Sequence, residues 1–523
     1  MADRAKTTSL AELGLTAQAG RETRITGLSV DSRETKPGHL FAALPGSRIH
    51  GAEFVQYALR MGAVAILTDR AGAQIAKSVL DDSDAALVIA EDPRQTLAYT
   101  ASLWFGAQPD TIVAVTGTNG KTSVATFTRQ IWMALGYAAV NLGTTGVEGS
   151  FEAPLSHTTP EPITLHRTLA QIAKADVTHC AMEASSHGLA QRRLDGVRLT
   201  AAAFTNFTQD HLDYHATFDD YFDAKAGLFD RVLPEDAVAV INIDDPRGID
   251  MADIAMERGQ DLLLVGRADD AHLRIIRQSY DATGQILRYS WNGEPHQVRL
   301  NLLGGFQAEN VLAAAGLAIG AGARPSDVFA TLQDLTTVRG RMQLAATREN
   351  DAAVFVDYAH TPDAVKTALM AMRPHVMGRL IVVLGAGGDR DPGKRILMGQ
   401  AARDHADIVF VTDDNPRTED PATIRAMVMQ GCPDAIEIGD RAEAILRGVD
   451  ALQPGDALLI AGKGHETGQT VGQDVFPFDD AEQASVAVLA LDEGLCPRYG
   501  RLPMLWPRRA GAAQKIGRPP AFR

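Results

Sequence analysis

Hydrophobic residues along the chain fall into short runs that end in glycine or polar residues, and helical stretches separate these runs. The runs are AVAILTD and AALVIA near the start, TIVAVTG, THCAMEASS, TAAAFTNF and AVAVINID in the middle, and AAVFVDYAH, RLIVVLGAGG, DIVFVTDD and ALLIAGKG later. Short apolar strands that alternate with helices are typical of a mostly parallel sheet. The pattern therefore predicts an α/β protein with ligand-binding loops at the carboxyl ends of its strands.

The pattern also divides the chain, whose 523 residues are too many for one hydrophobic core. We predict three domains: an N-terminal domain over 1–107, a central P-loop domain on a mostly parallel sheet over 108–337, and a Rossmann-like C-terminal domain over 338–496. The stretch FGAQPD (105–110) is predicted as a linker, because glycine and proline interrupt it. A tail over 497–523 has seven Arg or Lys, five Pro and no acid, and we interpret it as solvated.

Composition narrows the functional class. The net charge of −15 disfavours a nucleic-acid binder, which needs a basic face. The N-terminal residues lack the apolar core of a secretory signal, and no apolar run approaches the ~18 residues that cross a bilayer. Cys180, Cys432 and Cys496 are scattered and odd in number, which is typical of a reducing compartment. We therefore expect a cytoplasmic protein that does not enter the membrane.

A phosphate-binding loop is the strongest single signal. In AVTGTNGKTSVATF (114–127) a strand runs into a glycine-rich turn, and Lys121 and Thr122 open a helix. Backbone amides at such a turn cradle phosphates, the lysine neutralises them, and the hydroxyl can bind Mg²⁺. The common longer pattern has glycine where this chain has Val115, so the match is to the shorter GTNGK[ST] form. The sequence predicts ATP binding here.

Two further strand ends offer ligands for Mg²⁺. Glu183 follows the strand THCAM, and His211 lies in NFTQDHLDYH after another strand. Each alone is better explained without a metal, Glu183 as a helix-capping acid and His211 as a loop histidine. Because both lie at the strand ends of a P-loop domain, they are candidate metal ligands.

Lys225 stands on an apolar helical stripe. In DYFDAKAGLFDRV, helical spacing places four residues on one face, namely Tyr221, Lys225, Leu228 and Val232. Burying an ammonium is costly, so this lysine must reach solvent, pair, lose its proton or be modified. Periodicity alone favours a lysine that extends to solvent beside a neighbouring acid. Carbamylation by CO₂ is the alternative.

The stretch VFVTDDNPRTEDP (409–421) ends an apolar strand. Pro416 breaks the strand, and Thr418 is the predicted cap of a helix whose first turn contains acids. This local interpretation covers Thr418, Glu419 and Asp420 but leaves Arg417 unexplained.

Taken together, these residues resemble those of the Mur ligases, and within that family the ligases that add meso-diaminopimelate. The resemblance spans nearly the whole chain and rests on motifs in order: DSRETKPGHLFAALPGS, TGTNGKTS, HTTPEP, EASSHGLAQRR, TNFTQDHLDYH, YFDAKAGLF, GRMQ, VDYAHTPDA, GGDRDPGKR, TDDNPRTEDP and AGKGHE. The resemblance implies an ATP-dependent, Mg²⁺-dependent ligase that joins diaminopimelate to the D-Glu of UDP-MurNAc-L-Ala-D-Glu through an acyl phosphate, in peptidoglycan synthesis. It also implies that domain closure assembles the site. We expect a monomer.

The resemblance assigns residues to each substrate. For ATP they are Gly117, Thr118, Asn119, Gly120, Lys121, Thr122, Ser123, Asn310, Arg341 and Asp357. For the uridine nucleotide and its dipeptide, the N-terminal domain contributes Val30, Ser32, Ser47, Arg48 and Ile49, and the central domain His157, Thr158, Thr159, Ser185, Gln191 and Arg193. At the position of His157, related sequences often have Asn.

The remaining assignments concern the amino acid and the metal. For diaminopimelate, bound by the C-terminal domain, the residues are Arg390, Asp414, Asn415, Pro416, Arg417, Gly462 and Glu466. Arg417 would grip the second carboxylate of diaminopimelate, a group that lysine lacks, while Asp414 and Asn415 would take its ammonium. For Mg²⁺ they are Thr122, Glu183, His211 and Lys225 as its carbamate, with Lys121 and Lys225 as the catalytic residues.

Three alternatives remain open at this stage. A lysine-adding Mur ligase and a folylpolyglutamate synthetase share the P-loop and the modified lysine. The second has no reason to carry the uridine-binding block or the DNPR motif. A non-catalytic nucleotide-binding module is the third, and Lys121, Glu183, His211 and Lys225 together oppose it, because such a module needs no second metal site.

Overall fold

The computed structural model of the chain describes residues 7–18, 23–46, 49–208, 214–215 and 217–493. Several sequence predictions therefore lie outside the described residues: Ser47, Arg48, His211, Cys496 and the tail over 497–523. The described residues form two compact units. The first contains those up to Met342 together with Met370–His375, and the second contains Gln343–Leu369 and those from Val376 onward. Among the described helices, none is long and apolar enough to cross a membrane.

The first unit begins with a small pair of strands and a four-stranded sheet. The strands are β1 (Thr8–Ser9), β2 (Arg24–Ile25), β3 (Gly27–Ser29), β4 (His39–Ala42), β5 (Ala65–Thr68) and β6 (Ala86–Ile89). The helices are α1 (Val55–Arg60), α2 (Arg70–Ile75), α3 (Lys77–Asp81) and α4 (Pro93–Phe105). Strands β3 to β6 pair in parallel in chain order. The two strands predicted here, AVAILTD and AALVIA, are confirmed as β5 and β6.

A ten-stranded sheet follows in the same unit. Its strands are β7 (Thr111–Thr116), β8 (Ala139–Gly143), β9 (Gly146–Gly149), β10 (His179–Glu183), β11 (Ala201–Phe204), β12 (Val238–Asn242), β13 (Asp261–Gly266), β14 (Leu273–Asp281), β15 (Gly284–Trp291) and β16 (Glu294–Leu300). Their order is β16-β15-β14-β13-β12-β11-β7-β10-β8-β9. The pairs from β14 to β8 are parallel, while β8–β9, β14–β15 and β15–β16 are antiparallel. The predicted mostly parallel sheet is confirmed, with an antiparallel extension that the sequence pattern did not reveal.

Helices cover both faces of this sheet. They are α5 (Lys121–Ala134), α6 (Pro162–Lys174), α7 (Ser186–Ala190), α8 (Phe218–Gly227), α9 (Gly248–Glu257), α10 (Phe306–Gly320) and α11 (Pro325–Thr331). In β7, Val113 and Val115 pack into one apolar cluster with α5 and α10, whereas Ile112 and Ala114 pack into another with α6 and α9. Because successive strand residues face opposite sides, a continuous apolar run is what a strand buried on both faces requires.

The predicted linker is a fixed connection rather than a loose one. Residues 106–110 join α4 to β7 without regular structure. Gln108 is buried, and its amide donates to Ser102 Oγ and to the Gly196 carbonyl at 3.0 and 2.9 Å, while its oxygen accepts from the Arg198 amide. Side-chain hydrogen bonds of this kind hold the small sheet against the large one within the first unit.

The second unit is a six-stranded α/β layer. Its strands are β17 (Gln343–Thr347), β18 (Ala353–Asp357), β19 (Leu380–Leu384), β20 (Ile408–Val411), β21 (Ile436–Glu437) and β22 (Ala457–Ala461), in the order β17-β18-β22-β19-β20-β21. Only β17 is antiparallel. The helices are α12 (Pro362–Met372, whose last residues belong to the first unit), α13 (Gly393–His405), α14 (Pro421–Met429), α15 (Arg441–Asp450) and α16 (Asp480–Asp492). A separate hairpin of β23 (Gly468–Val471) and β24 (Asp474–Pro477) was not predicted.

Candidate active site

The P-loop joins β7 to α5 at the carboxyl edge of the large sheet. Gly117 has φ +146°, and a Cβ there would lie 1.9 Å from Thr205 Oγ1. Gly120 precedes the first residue of α5 with φ +88°, and a Cβ there would lie 2.5 Å from Asn310 Oδ1. Both glycines are therefore required by the backbone and by close neighbours, and the loop leaves the amides at the start of α5 available to an anion.

Two lysines meet on this loop. Lys121 Nζ donates to the carbonyl oxygens of Gly117 and Thr118 at 2.9 and 2.8 Å. Lys225 Nζ donates to the same Gly117 carbonyl at 2.8 Å and lies 4.4 Å from the centre of the Tyr221 ring. The structure thus places both predicted catalytic lysines on the same carbonyl oxygen of the P-loop.

Lys225 reaches the P-loop because α8 presents it there. The predicted helix is confirmed over 218–227 and continues as a π-helical turn over Leu228–Val232. Lys225 is 1% exposed, so the expectation from periodicity that it extends to solvent is wrong. Tyr221, one turn earlier, bonds through its hydroxyl to Thr118 Oγ1 at 3.2 Å. The stripe that looked apolar in sequence is the face that contacts the phosphate loop.

Glu183 lies at the end of β10, next to β7, and is 2% exposed. Its Oε2 accepts from Thr122 Oγ1 at 3.0 Å and from Thr144 Oγ1 at 3.3 Å, and its Oε1 accepts from the Thr144 amide at 2.8 Å. A buried carboxylate beside the P-loop hydroxyl is a set of hard oxygen donors, which is what Mg²⁺ requires. These residues fit the metal that the sequence predicted.

The residues predicted to hold the dipeptide form one connected group. Thr158 Oγ1 bonds to Thr144 Oγ1 at 3.0 Å, and Thr159 Oγ1 donates to the Glu183 carbonyl at 2.9 Å. The Thr159 hydroxyl also accepts from the Ser185 amide at 3.1 Å. Within this group only His157 stands apart, because it is exposed and its ring bonds to Ser156.

Gln191 and Arg193 extend this group. Arg193 donates to Gln191 Oε1 at 2.8 Å and to the Thr159 carbonyl at 2.6 Å. Burial lowers the pKa of Arg193 from its usual value, and nearby Tyr214 and Glu161 act in the opposite direction. The Gln191 amide donates to the Tyr214 hydroxyl at 2.9 Å. Sequence reasoning missed Tyr214 and Thr144, although Tyr214 belongs to the motif that contains His211.

The residues predicted to hold the uridine nucleotide lie at strand ends of the small sheet. Val30 follows β3, and Ser32 opens a 3₁₀ turn capped by Asp31. Ile49, in the loop after β4, is 58% exposed. Since β3 and β4 are adjacent parallel strands, these two loops emerge from one edge of the sheet. The assignment of a ligand to them stays a prediction.

An open pocket of about 460 Å³ lies beside the P-loop in the first unit. Its lining residues are Asn206, Asn242, Asp244, Asp245, Pro246, Arg267 and Glu309. Asn206 Oδ1 accepts from the P-loop amide of Asn119 at 2.9 Å, and Glu309 precedes the buried Asn310. Burial raises the pKa of Glu309, and its ion pair with Arg267 at 2.7 Å opposes that rise. The volume is in the usual range for small-molecule sites.

Two predicted ATP contacts have less structural support. Arg341 is half-buried, and its amide donates to the Val338 carbonyl at 3.0 Å. Asp357 ends β18 in the second unit, where its carboxylate accepts from the Ala359 amide at 2.8 Å. Both contacts stay predictions.

In the second unit, the predicted diaminopimelate residues come from three adjacent strand ends. Asp414–Arg417 follow β20, Arg390 lies in the loop after β19, and Gly462 and Glu466 follow β22. Because β22, β19 and β20 are parallel neighbours, their carboxyl ends share one edge. The placement at strand ends agrees with the sequence pattern, and the ligand stays a prediction.

Arg417 has an unusual backbone. Its φ is +50°, a left-handed conformation that non-glycine residues seldom adopt and that clusters at functional sites. Its guanidinium donates to the Gly388 carbonyl at 2.7 Å, and a Cβ on Gly387 would lie 2.9 Å from its NH1. The same Cβ position is 3.9 Å from the stem of the exposed Arg390. The two arginines therefore lie over one glycine.

Asp414 and Pro416, in the same loop as Arg417, are tightly packed. Asp414 is 7% exposed, its Oδ1 accepts from the Asn415 amide, and a Cβ on Gly462 would lie 2.5 Å from its Oδ2. Pro416 is buried, and its carbonyl lies where a side chain on Gly388 would be. Gly462 and Gly388 thus leave room for the acid and the proline.

The predicted helix cap at Thr418 is wrong. The N-cap of α14 is Asp420, whose carboxylate accepts from the Thr423 amide at 3.0 Å. Thr418 Oγ1 instead donates to Asp389 at 2.7 Å. Pro421 at the first helical position sets the helix start two residues later, because its missing N–H and fixed φ suit that position.

The fold and these strand-end loops define an α/β P-loop protein with a lysine and an acid buried against the phosphate loop. Three family models match the chain: the Mur ligase family catalytic domain over residues 24–102, the Mur ligase middle domain over 115–318, and the Mur ligase glutamate ligase domain over 340–464. The chain belongs to the Mur ligase family.

Individual relatives and solved structures support the same family assignment. A UDP-N-acetylmuramoyl-L-alanyl-D-glutamate–2,6-diaminopimelate ligase of Bradyrhizobium diazoefficiens is 48% identical over 468 residues, which cover 89% of this chain and 95% of the relative. A solved structure of a ligase with the same name is 34% identical with a TM-score of 0.70, covering 93% of this chain and 99% of that one. A folylpolyglutamate synthase from Mycobacterium tuberculosis, complexed with ADP, is 20% identical with a TM-score of 0.58 over 71% of this chain and 92% of that one. At that identity it shows the fold alone.

Proposed function

We propose that this protein is an ATP-dependent ligase that adds meso-2,6-diaminopimelate to the D-Glu carboxylate of UDP-MurNAc-L-Ala-D-Glu, in peptidoglycan synthesis. The observation that carries the proposal is the P-loop itself. Its Gly117 carbonyl accepts hydrogen bonds from Lys121 and Lys225, and its Thr122 hydroxyl donates to the buried Glu183. The names of its relatives support the same substrates. We expect the protein to act as a monomer in the cytoplasm.

ATP binds with its phosphates on Gly117 to Ser123 and its base near Asn310. The amides at the start of α5 and the Lys121 ammonium neutralise the phosphates. The pocket lined by Asn206 and Glu309 has the volume for the nucleoside and adjoins the P-loop.

Mg²⁺ fits beside Thr122 and Glu183, with His211 and carbamylated Lys225 as further ligands. When bound there, the metal supplies positive charge to the phosphoryl group in transfer. Carbamylation requires the Lys225 ammonium to lose one proton, after which the amine nitrogen bonds to the carbon of CO₂ and releases a second proton. The change from an ammonium to an anionic carbamate also removes the repulsion between two cations on one carbonyl oxygen.

The acceptor is held by residues that connect to Glu183 through its carbonyl and through Thr144. Thr158, Thr159, Ser185, Gln191 and Arg193 bind the dipeptide portion, since they form one group with Arg193 as its cation. Val30, Ser32, Ser47, Arg48 and Ile49 bind the uridine nucleotide.

The reaction proceeds in two displacements. A D-Glu carboxylate oxygen forms a bond to the γ-phosphorus, and the bond from that phosphorus to the bridging oxygen of ADP breaks. The amine of diaminopimelate then forms a bond to the acyl carbon, the bond to the phosphate oxygen breaks, and the amine loses a proton. The protein contributes positioning and electrostatic stabilisation through Lys121 and the P-loop amides.

Diaminopimelate binds with its second amino-acid centre at the strand ends of the second unit. A planar guanidinium binds a carboxylate through two parallel hydrogen bonds, so Arg417 takes the carboxylate. Asp414 and Glu466 offer negative charge to the ammonium. A lysine side chain ends in an ammonium alone and would leave Arg417 without an anion.

One assay separates the candidate functions. Phosphate release from ATP is measured with UDP-MurNAc-L-Ala-D-Glu and either meso-diaminopimelate or L-lysine, and separately with a folate and glutamate. We expect turnover with diaminopimelate only. Turnover with lysine at equal efficiency supports the lysine-adding alternative, turnover with folate supports the folylpolyglutamate synthetase, and no turnover with any of them contradicts a ligase.

A further inference from the structure

Lys463 is a buried cation inside the AGKGHE motif, and the assignments above give it no role. Its side chain is 0% exposed. Its ammonium donates to three oxygens: Asn415 Oδ1 at 3.2 Å, Glu466 Oε2 at 3.1 Å and the carbonyl of Gly468. A lysine ammonium has three N–H donors, so every donor of this group is used within the second unit.

The side chain of Asn415 is also engaged in hydrogen bonds within the second unit. Its Oδ1 accepts from Lys463 and from the Thr470 amide at 2.8 Å, and its amide donates to Glu466 Oε2 at 2.9 Å. An amide oxygen has two lone pairs, and both are engaged. Asn415 is therefore placed to hold its neighbours rather than to accept from a substrate ammonium.

One carboxylate oxygen of Glu466 is held by two hydrogen bonds. Its Oε2 accepts from both Lys463 and Asn415, while within the described residues no hydrogen bond is recorded to its Oε1. The side chain is 34% exposed, so that second oxygen is available to a ligand. Its partners fix the carboxylate in one orientation.

The β23–β24 hairpin also forms hydrogen bonds with the Asp414–Arg417 loop. Gln469 donates from its side-chain amide to the Asp414 carbonyl at 2.6 Å. The Arg417 amide donates to the Thr470 carbonyl at 3.2 Å, and the Gly472 amide donates to the Arg417 carbonyl at 2.7 Å. These bonds surround the residue whose φ is +50°, and such a conformation persists only where its neighbours determine it.

We propose that Lys463, together with the β23–β24 hairpin, positions the diaminopimelate site: Lys463 fixes Asn415 and Glu466, and Gln469 and Thr470 fix the backbone that presents Arg417. This rests on the proposed function. Lys463 is a positioning residue, because it touches Asn415 and Glu466 rather than the substrate. Desolvating an ammonium is costly, and the three acceptors around Lys463 offset that cost.

The charges of the site give the physical reason for a positioning cation. Asp414, Glu466 and Asp480 are negative, and Arg417, Lys463 and the buried Arg441, which pairs with Asp480 at 2.7 Å, are positive. The exposed Arg390 adds a further positive charge at the edge of this site. Lys463 offsets the acids that face a zwitterionic amino-acid centre, and its loss makes the site more negative by one charge, which shifts the preference toward a lone ammonium.

The test is steady-state kinetics of the full-length enzyme with Lys463→Met, which keeps an unbranched side chain one atom shorter and removes the charge. We expect the KM for meso-diaminopimelate to rise about 10- to 100-fold, as for the loss of hydrogen bonds to charged groups. The KM for ATP and for UDP-MurNAc-dipeptide should stay unchanged, and selectivity over L-lysine should fall. Lys366→Met, at an exposed lysine on α12, is the matched control.

Gln469→Ala tests the hairpin and remains informative if Lys463→Met does not fold. It removes one side-chain hydrogen bond from a half-buried position, and we expect a rise of about fivefold in the same KM alone. Gln473→Ala changes the same residue type at an exposed position of the same hairpin, where no hydrogen bond is recorded to the described residues. It should leave all three KM values unchanged.

The outcomes separate the two proposals. If the wild-type enzyme does not ligate diaminopimelate, the proposed function fails. If it does, and Gln469→Ala and any folded Lys463→Met leave its KM for diaminopimelate unchanged or raise all three KM values equally, the positioning role is overturned while the function stands.

Discussion

Lys121 and Lys225 donate to the same carbonyl oxygen, that of Gly117, over Nζ–O distances of 2.9 and 2.8 Å. Two ammonium groups on one acceptor repel each other, and Lys225 is 1% exposed, so water screens this repulsion poorly. The repulsion favours a Lys225 without its positive charge, and the carbamate that we propose is one such form.

Lys225→Ala should therefore abolish most ligation. We expect kcat to fall about 10³-fold, as for removal of a group that stabilises the transition state, with ATP binding largely kept. Phosphate release and ATP binding are the two measurements, and added short carboxylic acids should restore part of the activity. Lys174→Ala, at an exposed lysine on α6, should have no effect. Full activity of the Lys225 variant would contradict the carbamate role.

Gly117→Ala should abolish ATP binding, because its Cβ would lie 1.9 Å from Thr205 Oγ1 in a backbone with φ +146°. Gly136→Ala is the matched control, since Gly136 has φ +90° but nothing within 4 Å of its Cβ position. The control should cost about 1–2 kcal/mol of stability and leave the KM for ATP unchanged. Nucleotide titration of both variants measures the difference, and similar ATP affinities would show that Thr205 moves aside.

Arg417→Lys should damage the use of diaminopimelate far more than ATP binding. Lysine keeps the charge but cannot form the two parallel bonds to a carboxylate, so the KM for diaminopimelate should rise about 10- to 100-fold. Arg403→Lys, at an exposed arginine on α13, is the control. An equal loss of both affinities would count against the assignment of Arg417.

Stability should fall as the pH drops below about 6.5, in part through His166. Burial lowers the pKa of His166 to about 4. The unfolded chain binds this proton below its ordinary pKa of about 6.5 and the folded chain does not, so the contribution of His166 is present above that pH and is lost on acidification. The effect is roughly 2 kcal/mol at pH 5.

The measurement is the apparent Tm between about pH 7.5 and pH 5. His166→Leu should show a smaller decrease over this range than the wild type. His157→Leu, at an exposed histidine of the same unit, should follow the wild type. Parallel curves for all three proteins would exclude His166 as a contributor.

Several parts of the fold could be predicted locally. The ten apolar runs all became strands, since a strand buried on both faces must be apolar throughout. The P-loop, Glu183 and the Asp414–Arg417 loop were found at strand ends because parallel strands present their carboxyl ends at one edge. The antiparallel strands β14–β16 and the β23–β24 hairpin were missed, because their sequences are polar on the exposed side and lack a continuous apolar run.

What the sequence determined by itself is the set of elements and the chemical groups at their ends, because strand burial, glycine-rich turns and helical spacing are properties of neighbouring residues. Only the tertiary structure decided which of these groups touch. It placed Lys225 on the Gly117 carbonyl instead of in solvent, made Asp420 rather than Thr418 the helix cap, and joined Lys463 to Asn415. These contacts join residues from separate elements, and the burial and hydrogen-bond partners that fix them arise only when the elements pack together.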